Sequence, residues 1–166
     1  NRKSDISAPN AVHRCGGRAP HGLRAAGDDV WRRGGLWCAG RRRPTGPTGS
    51  AGRRDEAKRE TQGAIAAKYA DIVVLTEEDD RDVDGNDILE QIAVGARAEG
   101  ALDGSSLLKE LDRTNAIRRA LSLASSKDDT VVLLGKGHER TIERADGEHD
   151  WNETEVAKTL LRELQD

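Results

Sequence analysis

Large apolar side chains are scarce in this chain of 166 residues, which has no Phe, no Met, one Tyr and three Trp. Any core must therefore be built from Leu, Ile, Val and Ala. No apolar run approaches the roughly 18 residues that a transmembrane helix needs, and no secretory signal peptide is visible. These absences predict a cytoplasmic protein without a membrane partner. Because Met is absent even from position 1, we also expect the chain to be a fragment.

Cysteine is also scarce, and its spacing does not favour a metal site. Cys15 and Cys38 are far apart in the chain, whereas structural zinc sites use four ligands in closely spaced pairs. A disulfide is not expected in a cytoplasmic protein. We therefore assign no metal ligands.

Charge and composition divide the chain into two parts. Residues 1–54 contain 12 Lys or Arg and three Asp or Glu, whereas residues 55–166 contain 15 and 27. Residues 1–50 also hold all four prolines, nine of the eighteen glycines and only five Ile, Leu or Val. Such a segment cannot bury enough apolar surface to offset the entropy of ordering. We interpret residues 1–48 as a low-complexity basic tail and residues 49–166 as one folded domain.

Three interpretations of the basic tail stay open. It is a disordered segment, a product of GC-rich DNA translated out of frame near residues 44–49, or an arm that binds nucleic acid through Arg clusters and the rings of Trp31 and Trp37. Out-of-frame translation fits the bias towards Arg, Gly, Ala and Pro better than the other two. Since few aromatic residues are present for stacking, a nucleic-acid partner is not expected.

The remainder of the chain alternates between helical and strand patterns. Helices are predicted over residues 57–69, from Asn86 or Asp87 to Gly100, from Asp112 to Ala124, and from Asn152 onwards. Strands are predicted over residues 71–75, 107–111 and 130–134, the last of them buried on both faces. A hairpin of residues 141–144 and 148–151 is predicted around the turn residues Asp146-Gly147. This alternation is typical of an α/β domain with a mostly parallel sheet.

Charged loops follow two of the predicted strands. The strand at 130–134 ends at the motif Gly-Lys-Gly-His-Glu, where Lys136, His138 and Glu139 supply a cation, a titratable ring and a carboxylate. The strand at 71–75 is followed by the acidic run 77–82. Ligands bind at the carboxyl ends of the strands in open α/β sheets, so these side chains are site candidates. Solvated charged turns are the alternative interpretation of both loops.

Five segments, taken in order, resemble the C-terminal domain of the Mur ligases, and within that family the ligases that form the muramoyl tripeptide. They are Gly-Ser-Ala-Gly-Arg-Arg-Asp-Glu-Ala-Lys-Arg at 49–59, Ile-Ala-Ala-Lys-Tyr-Ala-Asp-Ile-Val-Val-Leu-Thr at 65–76, Asp-Arg-Thr-Asn-Ala-Ile at 112–117, Gly-Lys-Gly-His-Glu at 135–139 and Asp-Trp-Asn-Glu-Thr-Glu-Val-Ala at 150–157. The resemblance covers about residues 48–166 and implies a Rossmann-like three-layer fold. The apolar strand that should precede residue 49 is absent, so we expect a sheet without its first strand.

The resemblance implies an ATP-dependent ligase of peptidoglycan synthesis. In that family a muramoyl-peptide carboxylate is phosphorylated to an acyl phosphate, which the amine of an amino acid then attacks. The implied partners are UDP-MurNAc-L-Ala-D-Glu and a diamino acid. ATP and Mg²⁺ are the implied cofactors, bound mainly by a central domain outside this chain, because no G-x-x-x-x-G-K-[ST] phosphate loop occurs here. The chain alone is therefore expected to be inactive.

The resemblance also implies roles for individual residues. Arg54 matches an Arg that binds an amino-acid carboxylate. Gly135 and Glu139 match positions that hold the distal amino and carboxylate end of a diamino acid. Asp55 and Lys58 match a loop that approaches the nucleotide in related ligases. A zwitterionic ligand needs an Arg for its carboxylate and an acidic partner for its ammonium group, which agrees with these assignments.

One motif of the family is altered in this chain. The Asp-Asn-Pro-Arg motif of diaminopimelate-adding enzymes is present here as Glu78-Asp79-Asp80-Arg81. Arg81 is retained, which favours meso-diaminopimelate over L-lysine. Asp79 in place of Asn removes an amide donor, and Asp80 in place of Pro removes a rigid turn.

Two functions of other kinds stay open as alternatives. One is a non-catalytic α/β module whose basic tail binds nucleic acid, which salt-dependent retention on DNA would favour. The other is a sister ligase that adds glutamate to folate or aspartate to cyanophycin. The Gly-Lys-Gly-His-Glu and Arg-Arg-Asp loops together disfavour this sister ligase.

Overall fold

A computed structural model describes residues 45–48, 56–81, 83–126 and 129–165. Its elements are β1 (Thr45–Thr48), α1 (Ala57–Tyr69), β2 (Ile72–Leu75), α2 (Gly85–Ala98), β3 (Leu107–Lys109), α3 (Arg113–Leu123), β4 (Thr141–Arg144), β5 (Gly147–Asp150) and α4 (Glu153–Glu163). The predicted α/β class is confirmed. The predictions for residues 1–44, including the tail, lie outside the described residues.

The three-stranded sheet is parallel, in the order β1-β2-β3. Its edge strand β1 lies within the segment predicted as tail, and it pairs with β2 so that Thr45 is opposite Ile72. The expectation of a sheet without a strand before residue 49 is therefore wrong. The sequence hides this strand because it reads Thr-Gly-Pro-Thr. Proline cannot donate a ladder hydrogen bond, which restricts Pro47 to an edge strand of this kind.

Alternating side chains along β2 bring helices to both faces of the sheet. Val73 and Leu75 pack in a cluster with α1 and α2, whereas Val74 packs against Ala116 and Ala120 of α3. Successive side chains of a strand point to opposite faces, so the sheet lies between two helical layers. This is the three-layer arrangement that the resemblance implied.

Residues 130–134 were predicted as a buried strand, and this prediction is wrong. They belong to neither sheet formed by the described residues, and only Val131 is in a bridge. Val132 and Leu134 pack against the cluster of α1 and α2, while Val131 and Leu133 pack against a second cluster. The apolar run thus packs between two cores, with Leu133 buried and its neighbours partly buried. Its apolar composition reflects this packing rather than strand pairing.

The second cluster joins α3, the β4–β5 hairpin and α4. It contains Ile117, Ile142, Trp151 and Leu160. The predicted hairpin is confirmed, with antiparallel pairing of Thr141 opposite Asp150. The hairpin and α4 are therefore held to the sheet layer through α3.

Side-chain caps set the starts of α2, α3 and α4. The predicted cap of α4 is confirmed, since the Asn152 side chain accepts from the Glu155 amide at 3.3 Å. The cap of α2 is Asp84, which accepts from the Asn86 amide at 2.8 Å, rather than Asn86 or Asp87 as predicted. Across the four described ranges, no helix combines the length and apolar character needed to cross a bilayer.

Two glycines bring α1 and α2 into close contact. A Cβ at Gly95 would lie 1.7 Å from the carbonyl oxygen of Glu60, and a Cβ at Gly63 would lie 1.8 Å from that of Ile92. Both distances are far below van der Waals contact with rigid backbone atoms. Glycine at both positions is therefore required by the approach of the two helices.

We expect Gly95→Ala to destabilise the protein by about 1–3 kcal/mol, because the added methyl group forces α1 and α2 apart. Urea denaturation measures this change, with the exposed neighbour Val94→Ala as a control that stays within about 0.5 kcal/mol. Helix propensity alone would instead stabilise Gly95→Ala by about 1 kcal/mol. A gain of that size would contradict the close packing.

Candidate functional site

Two charged loops meet at the carboxyl end of the sheet. The first, residues 76–81, follows β2, and the second, residues 134–139, follows the apolar run. Lys136 joins them, because its Nζ donates to Asp79 Oδ1 at 2.7 Å and also to Glu139 Oε2. Burial lowers the pKa of Lys136, but the hydrogen bonds to Asp79 and Glu139 outweigh burial and raise the pKa overall. Lys136 is therefore a buried cation that carries its charge at neutral pH.

Strand β4 holds the outer end of the first loop through Glu143. The Glu143 amide donates to Asp79 Oδ1 at 2.9 Å, and the Arg81 amide donates to the Glu143 carbonyl at 3.2 Å. Arg81 has a φ of 58°, a left-handed conformation that is uncommon for a residue other than glycine. The contacts with β4 fix this conformation, so the direction of the Arg81 side chain is set by the hairpin.

Arg113, the first residue of α3, fixes the inner ends of both loops. Its side chain is fully buried. Nη1 donates to the carbonyl of Glu77 at 2.9 Å, and Nη2 donates to the carbonyl of Leu134 at 2.6 Å. These carbonyls immediately precede Glu78 and Gly135. One guanidinium therefore sets where each loop leaves the core.

Two buried carboxylates compensate the charge of Arg113. Glu153 accepts from Nε at 2.8 Å and from Nη2 at 2.6 Å, and Glu153 also accepts from Trp151 Nε1 at 2.9 Å. Glu77 accepts from the Arg113 amide at 3.2 Å and from Arg144 Nε at 2.8 Å. Burial lowers the pKa of Arg113, but the bonds to Glu153 outweigh burial and raise it. Arg113 therefore keeps its charge.

Three buried polar atoms of the first loop have no hydrogen-bond partner among the described residues. They are Glu78 Oε2, Asp80 Oδ1 and Arg81 Nε. Arg81 Nε does lie 2.9 Å from Glu143 Oε2, but the carboxylate is off the N–H direction, so the contact is an ion pair rather than an aligned hydrogen bond. Unsatisfied buried polar groups are rare in folded proteins. Three of them within four consecutive residues indicate a place for a ligand.

Two carboxylates of this loop titrate near neutral pH. Burial, opposed by the charge of Arg113 and reinforced by that of Asp79, raises the pKa of Glu78 from 4.5 to about 7. Burial, reinforced by the charge of Glu77, raises the pKa of Asp80 from 3.8 to about 6. Each carboxylate would be stabilised in its ionised form by an added cation. The loop is therefore suited to an ammonium group.

Gly135 brings the second loop against Glu78. It has a φ of 110°, which a side chain disfavours. A Cβ at this position would lie 3.4 Å from Glu78 Cδ and 3.4 Å from Arg113 Nη2. The backbone turn therefore favours glycine at this position, whereas a Cβ would only come into ordinary contact with Glu78 and Arg113.

The structure brings six of the sequence-predicted residues into one connected cluster, which we call the rim cluster: Glu78, Asp79, Arg81, Gly135, Lys136 and Glu139. His138 is exposed on the turn of the second loop, and Lys58 is exposed in the first turn of α1. Arg54 and Asp55 lie outside the described residues. The ligand groups assigned to all of these residues stay predictions.

Sequence reasoning missed the residues that hold the rim cluster in place. Arg113 carried a signal, because a positive charge at the first position of a helix opposes the helix dipole and needs a compensating partner. The motif that contains it was used only for the resemblance. Glu143 carried no such signal, since its contacts depend on how the hairpin packs against the first loop.

We expect Arg113→Met to destabilise the protein by about 3–5 kcal/mol, because it leaves Glu153 and two loop carbonyls buried without their donor. Arg118→Met is the matched control, since Arg118 makes the exposed ion pair between the same two helices, with Glu163 at 2.5 Å. That variant should lose less than about 1 kcal/mol. Chemical denaturation measures both, and equal losses would contradict a dominant role for the buried pair.

Glu78 predicts a specific pH dependence of stability. Its pKa is about 7 in the folded protein and 4.5 as the reference for the unfolded chain, so the folded state binds more protons between these values. Its contribution to the free energy of unfolding therefore falls as pH rises through this window, by about 3 kcal/mol in total.

Glu78→Gln should remove that contribution, so the stability of the variant relative to wild type increases from below pH 4.5 to above pH 7. Denaturation series across this range measure the difference, from which the similar contribution of Asp80 between about pH 4 and 6 cancels because both proteins contain it. The exposed Glu99→Gln is the control. A wild-type-minus-variant difference that does not change with pH would show that Glu78 is not the titrating group.

Comparisons with known proteins identify relatives of this chain. The family profile described as Mur ligase, glutamate ligase domain matches residues 36–137. The UDP-N-acetylmuramyl-tripeptide synthetase of Roseiflexus sp. (strain RS-1) is 45% identical over 116 residues, covering 70% of this chain and 23% of that protein. The enzyme of the same name from Treponema denticola is 46% identical over 113 residues, covering 68% and 21%.

A solved structure of a UDP-N-acetylmuramoyl-L-alanyl-D-glutamate–2,6-diaminopimelate ligase is also similar. It has a TM-score of 0.58 and 27% identity, and the match covers 73% of this chain and 24% of that one. The chain thus spans about a quarter of the length of the relatives it matches. The family profile covers more than half of the chain, and the chain therefore belongs to the Mur ligase family.

Proposed function

We propose that this chain is the amino-acid-binding, C-terminal part of an ATP-dependent ligase that adds a diamino acid to UDP-MurNAc-L-Ala-D-Glu, with meso-diaminopimelate favoured over L-lysine. Relatives named as tripeptide synthetases support the class of reaction. A relative from Aquifex aeolicus that is 34% identical is named as a 2,6-diaminopimelate ligase. We assign residues 49–166 to this domain, and strand β1 extends its sheet to residue 45.

The observation that carries the proposal is the group of three buried polar atoms without a hydrogen-bond partner in the first loop. Glu78 Oε2 and Asp80 Oδ1 are acceptors, and Arg81 Nε is a donor. The distal end of a diamino acid with a second carboxylate offers the complementary groups, an ammonium donor and a carboxylate acceptor. Charge-assisted hydrogen bonds of this kind are among the strongest in proteins. A neutral ligand could not form charge-assisted bonds to these atoms.

The charge of the cluster supports a ligand ammonium group as well. Lys136 offsets one of its two carboxylate partners, Asp79 and Glu139, so this triad keeps one negative charge. Glu78 adds a carboxylate whose ionisation burial disfavours. An incoming ammonium group would meet net negative charge at each of these positions.

Arg81 supports diaminopimelate over lysine. Both amino acids carry a side-chain ammonium group, but only diaminopimelate has a distal carboxylate that could accept from the guanidinium. A site built to bond a substrate group discriminates against an analogue that lacks the group, because its own polar atoms are left unpaired. Arg81 Nε is such an atom.

The described residues do not fit a phosphate site for ATP. Lys136 is buried between Asp79 and Glu139, and its two flanking glycines do not make a phosphate loop. No group of three His, Cys, Asp or Glu in the described ranges is arranged to hold a metal ion. We therefore assign the binding of ATP and Mg²⁺ to the part of the ligase outside this chain. We also propose that the reaction takes place in the cytoplasm. Contacts of Asp55 and Lys58 with the nucleotide stay predictions.

Calorimetric titration of the full chain with meso-diaminopimelate and with L-lysine tests the proposal. We expect Arg81→Gln to weaken diaminopimelate binding by about 10- to 100-fold, which corresponds to the loss of one hydrogen bond between charged groups. L-lysine binding should change by less than about two-fold, because lysine has no group for Arg81 to hold.

Arg118→Gln, an exposed arginine of α3, is the control for a general change in charge. Equal losses for both ligands in Arg81→Gln would contradict the assignment of Arg81 to the distal carboxylate. Absence of diaminopimelate binding to the wild-type chain would contradict the proposed site itself.

A further inference from the structure

Glu143 offers Arg81 a carboxylate before any ligand arrives. Its Oε2 lies 2.9 Å from Arg81 Nε, at the atom that the proposed function assigns to the distal carboxylate of the substrate. We propose that Glu143 is a specificity-determining residue that acts as an internal substitute for that carboxylate. By pairing with Arg81, it reduces the difference between the affinities of the site for diaminopimelate and for lysine. This inference rests on the proposed function.

The contact can be broken without moving the backbone. The side chains of Arg81 and Glu143 are 34% and 46% exposed, so the carboxylate has solvent into which it can rotate. Glu143 is held instead by its main chain, through its amide to Asp79 and its carbonyl to the Arg81 amide. A ligand carboxylate therefore replaces one side-chain contact, while the hairpin and the first loop stay joined.

The geometry of the pair favours replacement by a ligand. The Glu143 carboxylate is off the Arg81 N–H direction, so the donor has an ion pair without an aligned acceptor. A ligand carboxylate that lies on this direction gains a charge-assisted hydrogen bond. When lysine binds, Glu143 stays in place and keeps the charge of Arg81 compensated. Both amino acids are therefore accepted, and the difference between their affinities is reduced.

Titration of the full chain carrying Glu143→Gln with meso-diaminopimelate and with L-lysine tests this role. The amide keeps the size of the side chain and the backbone bonds of residue 143, but it removes the competing charge. A half-exposed ion pair contributes up to about 1 kcal/mol, so diaminopimelate binding should strengthen by up to about five-fold. Lysine binding should stay the same or weaken, because the site becomes less negative.

Glu148→Gln is the matched control. Glu148 lies opposite Glu143 in the register of β4 and β5, so this variant removes the same charge from the same hairpin. We expect it to leave the ratio of the two affinities unchanged. If all three proteins bind diaminopimelate with the same ratio of diaminopimelate to lysine affinity, the role of Glu143 is overturned and the proposed function stands. Absence of diaminopimelate binding to all three would overturn the proposed function and this inference with it.

The NMR signal of Arg81 Nε–H gives a second readout that does not depend on affinity. Glu143→Gln should shift this signal in the free protein. Meso-diaminopimelate should shift it in the wild type, whereas L-lysine should leave it in place. A signal that is unchanged by Glu143→Gln, or that moves equally with both ligands, would contradict the pairing on which the inference depends.

Discussion

The buried guanidinium of Arg113 is the interaction on which the site depends. It bonds the carbonyls that precede Glu78 and Gly135, and Glu153 of α4 bonds it in turn. Among the described residues no regular strand of the parallel sheet leads into the second loop, and Arg113 supplies a hydrogen bond that holds the start of this loop. Without its acidic partner, a charge in this position would be strongly unfavourable. The sheet, α3, α4 and both loops are therefore one mechanical unit.

Buried polar atoms without a hydrogen-bond partner are concentrated in the first loop and its rim cluster, within the described part of the chain. Arg81 holds a left-handed backbone conformation, and its Nε, Glu78 Oε2 and Asp80 Oδ1 are buried without an aligned hydrogen-bond partner in the described part of the chain. Proteins tolerate such features where function requires them and stabilise them from the surrounding structure. Here the surrounding structure is the Arg113 network and strand β4. The buried polar atoms of this loop make no aligned hydrogen bonds in the free protein, so a charged ligand that bonds them would gain the free energy of those bonds.

Local rules predicted most of the fold. Apolar periodicity and capping residues located all four helices, and the Asp-Gly turn located the hairpin. The run at 130–134 has the composition of a strand, but in the described residues it packs between two cores and joins neither sheet. Hydrophobic periodicity cannot distinguish a paired strand from an unpaired apolar segment of this kind. Strand β1 contains Gly and Pro, so its pairing with β2 is decided by the sheet and not by its own residues.

The site was predictable only as far as its residues follow strand ends or match a family motif. Glu78, Arg81, Lys136 and Glu139, which the structure places in the rim cluster, were singled out in this way. Contacts such as Arg81 with Glu143 and Lys136 with Asp79 join residues far apart in the chain, and they depend on packing that no local pattern encodes. The same holds for the raised pKa of Glu78, because burial causes it.

The ionisation of Glu78 with and without ligand tests the central claim most directly. Carboxyl-carbon NMR of the full chain can follow this group across the pH range in the absence and presence of meso-diaminopimelate. A ligand ammonium group near Glu78 should lower its pKa from about 7 towards the ordinary value of 4.5. A pKa that stays near 7 while the ligand is bound would contradict the account, since the buried carboxylate would then have no part in holding it.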